Sequence, residues 1–164
     1  CSVAYALIFE PIITYFENQK MPQRKIVDEL NKQGYCAPEG GKWVLSQFQK
    51  VLDRVRINRL AFAVGTNIEQ MLKTTSYEVI TESLSSQYGH LLAKNKSWAI
   101  ELVKTVLERH HLLQDIMALN KTFATHKGLL ESHHWERLSQ GQICELLQNQ
   151  FSEEDSLLQS AKAS

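Results

Sequence analysis

The sequence is short of cysteine, proline and long apolar runs, and each shortage removes a class of protein. Its three cysteines, Cys1, Cys36 and Cys144, are widely spaced and odd in number. They make neither a zinc-binding spacing nor a disulfide framework, which leaves reduced thiols in a cytoplasmic protein. No apolar run approaches the roughly 20 residues needed to span a bilayer, so membrane insertion is not expected. The opening CSVAYALIFEPII lacks the basic start and small-residue cleavage site of a secretion signal, and Glu10 interrupts it. An amphipathic or buried first helix remains. The chain begins at Cys1, not Met, as a fragment or processed chain would. Strand-like alternation is scarce and there are only three prolines. The fold class expected is all-α.

Catalytic signatures are missing as well. There is no G-x-S-x-G elbow, no phosphate-binding P-loop and no G-x-G-x-x-G between a strand and a helix. Gly40–Gly41 is a turn signal only. The histidines form two adjacent pairs, His110–His111 and His133–His134, with His90 and His126 apart and no H-E-x-x-H. Neighbours on a helix point about 100° apart, so neither pair is expected to offer two ligands on one face. His126 and His133 can meet across a turn at Gly128, with Glu108 or Glu131 adding a carboxylate, but surface or partly buried histidines are the simpler reading. No enzyme, metal or cofactor is expected.

Helices fill what is there. Apolar residues make up 43% of the chain and charged ones 22%, the balance of an ordinary globular protein, and 164 residues suffice for a real core. Tyr5, Ile8, Phe9, Ile12, Ile13 and Phe16 recur at helical steps over about 2–18, with Pro11 a candidate kink or split. Pro22 suits the first turn of a second helix striped by Ile26, Val27 and Leu30, and Gly34 suits its left-handed cap. Residues 35–42 are a turn-rich connection. A third helix over 44–58 is striped by Val44, Leu45, Phe48, Val51, Leu52 and Val55. Further helices are expected over 61–73 (Gly65 a weak point), 76–94, 98–126 and 131–151.

These elements group into a module over 1–60, an antiparallel helical bundle over 61–151 and a polar, frayed tail over 152–164. Charge divides similarly: nine Lys/Arg against six Asp/Glu in 1–60 give +3, and nine against twelve in 61–164 give −3. Lys42, Lys50, Arg54, Arg56 and Arg59 hold the basic excess, the footprint expected of a phosphate binder.

The spacing Arg24-x-Ile26-x-x-x-Leu30-Asn31-x-x-Gly34, then Gly40-Gly41-x-Trp43, then Phe48-x-x-Val51-Leu52-x-Arg54, resembles the recombinase segment of serine site-specific recombinases over residues 8–56. In that family the segment follows the catalytic domain and contributes helices that dock on double-stranded DNA. The 35–42 connection exceeds a minimal helix-turn-helix turn and has the length that the family segment shows. The resemblance implies a helix-turn-helix-like module whose third helix enters the major groove, with Ser46, Gln47, Lys50 and Arg54 towards DNA. Lys42 and the Gly40–Gly41 backbone would approach the sugar–phosphate chain, Arg24 and Lys25 would meet phosphates at the positive end of the second helix, and Arg56 joins the DNA-binding residues. The family's catalytic domain and its cysteine-rich zinc ribbon have no counterpart here. Val44 and Leu45 stand where the family carries small polar residues, and Gln49 where it is often basic. The expectation is a non-catalytic DNA-binding protein or fragment of bacterial type, its C-terminal helices serving self-association or a protein partner. The alternative is a helical adaptor or structural subunit of a larger assembly.

Overall fold

The computed structural model describes residues 2–119. Every regular element among them is a helix, and the protein is all-α. The helices are α1 (Ser2–Asn18), α2 (Gln23–Lys32), α3 (Leu45–Leu72), α4 (Tyr77–Tyr88) and α5 (Ile100–Leu119), with a 3-10 turn at Gly89–Leu91. No helix among the described residues is long and apolar enough to cross a membrane. The helix expected over 131–151, the tail from 152 and the His126–His133 pair lie outside the described residues.

These residues fall into two compact units. One holds residues 2–55 and 115–119, the other Arg56–Gln114. The division comes after Val55, inside α3, where the sequence reading placed a boundary at 60.

In the first unit, α1 buries Tyr5, Ala6, Phe9, Ile13 and Phe16. Four-residue steps carry Tyr5, Phe9 and Ile13 down one stripe of the helix. Phe9 stacks on Tyr5 at 5.5 Å and on Trp43 at 5.3 Å, and meets Tyr35 edge-on at 6.4 Å. Trp43 in turn meets Phe48 edge-on. This aromatic cluster ties α1 to the connection and to the start of α3. Pro11 does not split α1, which is continuous through it. Pro11 is exposed, and it both leaves the Leu7 carbonyl without its intrahelical hydrogen bond and crowds it with its ring.

Both α1 and α2 end in the same way. After α2, Gly34 takes φ 81; its N–H donates to the Asn31 carbonyl at 3.2 Å, and Tyr35 N–H donates to Leu30 at 3.0 Å. That is a Schellman cap with glycine at its left-handed position, as the sequence predicts. After α1, Lys20 holds that position at φ 56, with Lys20 N–H on Glu17 and Met21 N–H on Phe16. A lysine there carries the steric cost that glycine avoids.

Two helices expected over 44–58 and 61–73 are one, Leu45–Leu72. No glycine or proline stands between Val44 and Leu60, and Val55, Leu60, Ala61, Val64 and Ile68 carry the buried stripe straight across the expected gap. In the second unit, α4 is shorter than the expected 76–94. Ser76 caps it, accepting from Val79 N–H at 3.4 Å, and it gives way to the 3-10 turn at Gly89. Trp98 precedes α5 instead of opening it, and its indole donates to the Tyr88 carbonyl at 3.0 Å. Asn67 of α3 donates to the Tyr88 hydroxyl, and Lys104 of α5 lies 5.2 Å over the Tyr77 ring of α4. The three helices of this unit are thereby joined to one another.

Candidate nucleic-acid interface

The start of α2 is built without a cap. Pro22 occupies the capping position in an extended conformation (φ −61, ψ 151), offers no side-chain hydrogen bond, and no acidic residue follows in the first turn. The first intrahelical bond runs from Ile26 N–H to the Pro22 carbonyl at 3.0 Å. The N–H groups of Gln23, Arg24 and Lys25 therefore lack partners within the helix, at its positive end. Arg24 and Lys25 are exposed beside them.

Polar contacts tie α2 to α3 and to the residue that leads into it. Gln49 Nε2 donates to Gln23 Oε1 at 3.1 Å, which sets the first turn of α2 beside the exposed Lys50. At the other end of α2, Asn31 pairs with both backbone groups of Trp43. Trp43 N–H donates to Oδ1 at 2.7 Å and Nδ2 donates to the Trp43 carbonyl at 2.9 Å. The orientation of the Asn31 amide follows from the partners, because the backbone N–H only donates and the carbonyl only accepts. Each such bond is worth about 1 kcal/mol net.

Between those contacts the connection closes on itself. Gly40 N–H donates to the Ala37 carbonyl at 2.8 Å, with Pro38 second in the four-residue turn, as turn chemistry prefers. Ala37 N–H donates to Gly41. Gly40 and Gly41 adopt φ 85 and 83 with open space around them, so backbone conformation and not crowding requires glycine there. Below the connection Trp43 is 2% exposed and Phe48 fully buried. The Trp43 indole N–H is buried with no hydrogen-bond partner among the described residues. Burial pushes the Tyr5 hydroxyl, which donates to the Cys36 carbonyl at 3.5 Å, well above the usual tyrosine range, and Cys36 adds to that shift.

Among the residues singled out from the sequence, Arg24, Lys25, Lys42, Ser46 and Lys50 are exposed. The four cations of that group show no ion-pair partner among the described residues. Gln47 and Arg54 are half-buried. The Gln47 side-chain oxygen is buried with no hydrogen-bond partner among the described residues. Arg54 and Arg56 are each already engaged within the chain, and Arg56 belongs to the second unit. The Gln23–Gln49 bond brings the Arg24 and Lys50 neighbourhoods together. In the sequence Asn31 marks only the end of a helix and Gln49 stands at an often basic position; the Asn31–Trp43 and Gln23–Gln49 pairings, across 12 and 26 residues, have no local signal.

The second unit holds a polar cluster that the helical-wheel argument missed. His110, 8% exposed, places Nε2 2.9 Å from Glu69 Oε2, and the neighbouring His111 places its Nε2 3.5 Å from the same oxygen. The two rings were expected to diverge. Both rings approach one oxygen of Glu69 in α3, 41 residues from His110. Gly65 makes room: a Cβ there would lie 2.5 Å from His110 Cγ. Asn58, also buried, accepts from Arg109 at 2.7 Å. No group of three or more His, Cys, Asp or Glu among the described residues is arranged to hold a metal ion.

Comparison with known proteins adds no relative: no family model, curated protein or solved structure matches the chain.

Proposed function

We propose that this chain is a non-catalytic double-stranded-DNA-binding protein or fragment, working as the DNA-docking segment of serine recombinases does. The observation that carries this reading is a set of exposed cations, Arg24, Lys25, Lys42 and Lys50, with no ion-pair partner among the described residues, around the uncapped start of α2 and the approach to and first turns of α3. An uncapped helix start flanked by Arg and Lys suits a phosphate, since its N–H groups and dipole both favour an anion. Ser46 and Lys50 lie on the exposed side of α3 and would meet the groove.

Fluorescence anisotropy against a mixed-sequence duplex tests it. Four phosphate contacts give a slope of log affinity against log salt of about −3.6, so affinity should fall about 100-fold between 50 and 200 mM salt. No binding at low salt would sink the reading.

One observation favours the alternative of a helical adaptor in a larger assembly. Val44, at the entrance to α3, is 50% exposed, and Leu45 beside it is half-buried. An apolar residue at that place suits a protein surface better than a polar groove. Affinity for DNA that ignores salt, or none, would turn the search to a protein partner.

A further inference from the structure

We propose that Asn31 is a positioning residue for the phosphate-binding face: its two bonds to Trp43 lock the start of α3 against α2, so that Lys50 and the Arg24–Lys25 helix start address one duplex together. The inference rests on the DNA-binding reading above.

The geometry argues for it in three steps. First, α2 and α3 are separated by a 12-residue connection, and a loop of that length leaves the two helices many relative placements unless something fixes them. Second, the apolar contacts of Trp43 and Phe48 are non-directional and tolerate small sliding of one helix against another. A pair of hydrogen bonds from one planar amide to both backbone groups of a single residue does not, because it sets distance and rotation at once. Trp43 is two residues before α3, so fixing its backbone fixes where that helix begins. Third, the Gln23–Gln49 tie lies on exposed side chains at the far end of α2 and holds weakly by itself. Asn31 is thus a contact through which the two cationic groups keep register. Phosphates are spaced along a rigid duplex, and cations misplaced by a few ångströms neutralise fewer of them.

The test separates positioning from mere stability. The full chain and its Asn31→Ala variant are titrated with the same duplex over 50–200 mM salt, with far-ultraviolet circular dichroism reporting the folded fraction. The expected result is a folded variant that binds at least about tenfold more weakly at 50 mM salt, with a salt slope shallower by about one, because one phosphate contact has been lost. A variant weakened only in proportion to its folded fraction, with the slope unchanged, overturns the inference and leaves DNA binding standing. Failure of the unsubstituted chain to bind overturns both, and is told apart by the behaviour of that chain alone. If Asn31→Ala does not fold, Asn31→Ser carries the same test, since its shorter hydroxyl gives up the paired contact with the Trp43 backbone but stays a favourable residue at a helix end. A shallower slope for Asn31→Ser supports the proposal, and the unaltered slope overturns it.

Discussion

Tyr5 shows how one residue can set a limit on the whole fold. Its ring stacks on Phe9 and its hydroxyl is buried beside Cys36, so ionising it in place is costly. In the unfolded chain the same hydroxyl titrates near pH 10. Above that pH the unfolded state loses the proton while the native state keeps it. Stability is therefore complete below about pH 10 and declines as pH rises towards the higher native value, by at most about 1.4 kcal/mol per pH unit for one group. Tyr5→Phe should flatten that decline between pH 10 and 11 in denaturant titrations. An unchanged slope would show that other groups govern it. Single residues also differ in how openly the sequence declares them. Gly34 announces its left-handed cap, because only glycine takes that conformation freely. Lys20 takes it without any such sign. Asn31 reads as a helix end and is that, yet its side chain's partner is invisible from its neighbours.

Among the elements, α3 departs most from its expected form. Its 28 residues were expected as two helices with a soft spot at Gly65. A helix-interior glycine costs roughly 1 kcal/mol relative to alanine when nothing else depends on it. Here the absence of a side chain admits the His110 ring of α5. Gly65→Ala should destabilise the chain by about 2 kcal/mol or more, where helix propensity alone would make it more stable. In a His110→Ala background the clash is gone, and the same substitution should become neutral or stabilising. Chemical denaturation of the four chains of this double-mutant cycle checks the coupling. Additive effects would mean that the two helices do not depend on that contact. The start of α3 is as informative as its middle, since the helix opens at Leu45, two residues after the Trp43 that Asn31 holds.

At the scale of the molecule, a net charge of zero conceals a +3 and a −3 half. Of the cations singled out from the sequence, Arg24, Lys25, Lys42 and Lys50 lie in the first unit, exposed and with no ion-pair partner among the described residues, whereas Arg56 lies in the second and is already engaged. If the first unit carries the phosphate-binding face, Lys50→Ala should shorten the salt slope of DNA binding by about one and Arg56→Ala should leave it unchanged. Equal effects would mean that the cationic surface is not confined as proposed.

The all-α class, the stripes of α1, α2 and α3, the Gly34 cap and the turn at Gly40–Gly41 follow from the sequence by itself. Each depends on residues within one or two helical turns of each other, and the apolar period or the backbone freedom of glycine declares it locally. Tertiary structure alone decided that Asn31 holds Trp43, that Gln23 meets Gln49, and that His110 and His111 converge on Glu69 over the space left by Gly65. Those partners lie 12, 26 and 41 residues apart, and a polar side chain carries no local mark of the group it will meet. Which donor faces which acceptor is settled only when burial of the apolar stripes brings the helices together and leaves their polar groups to find one another.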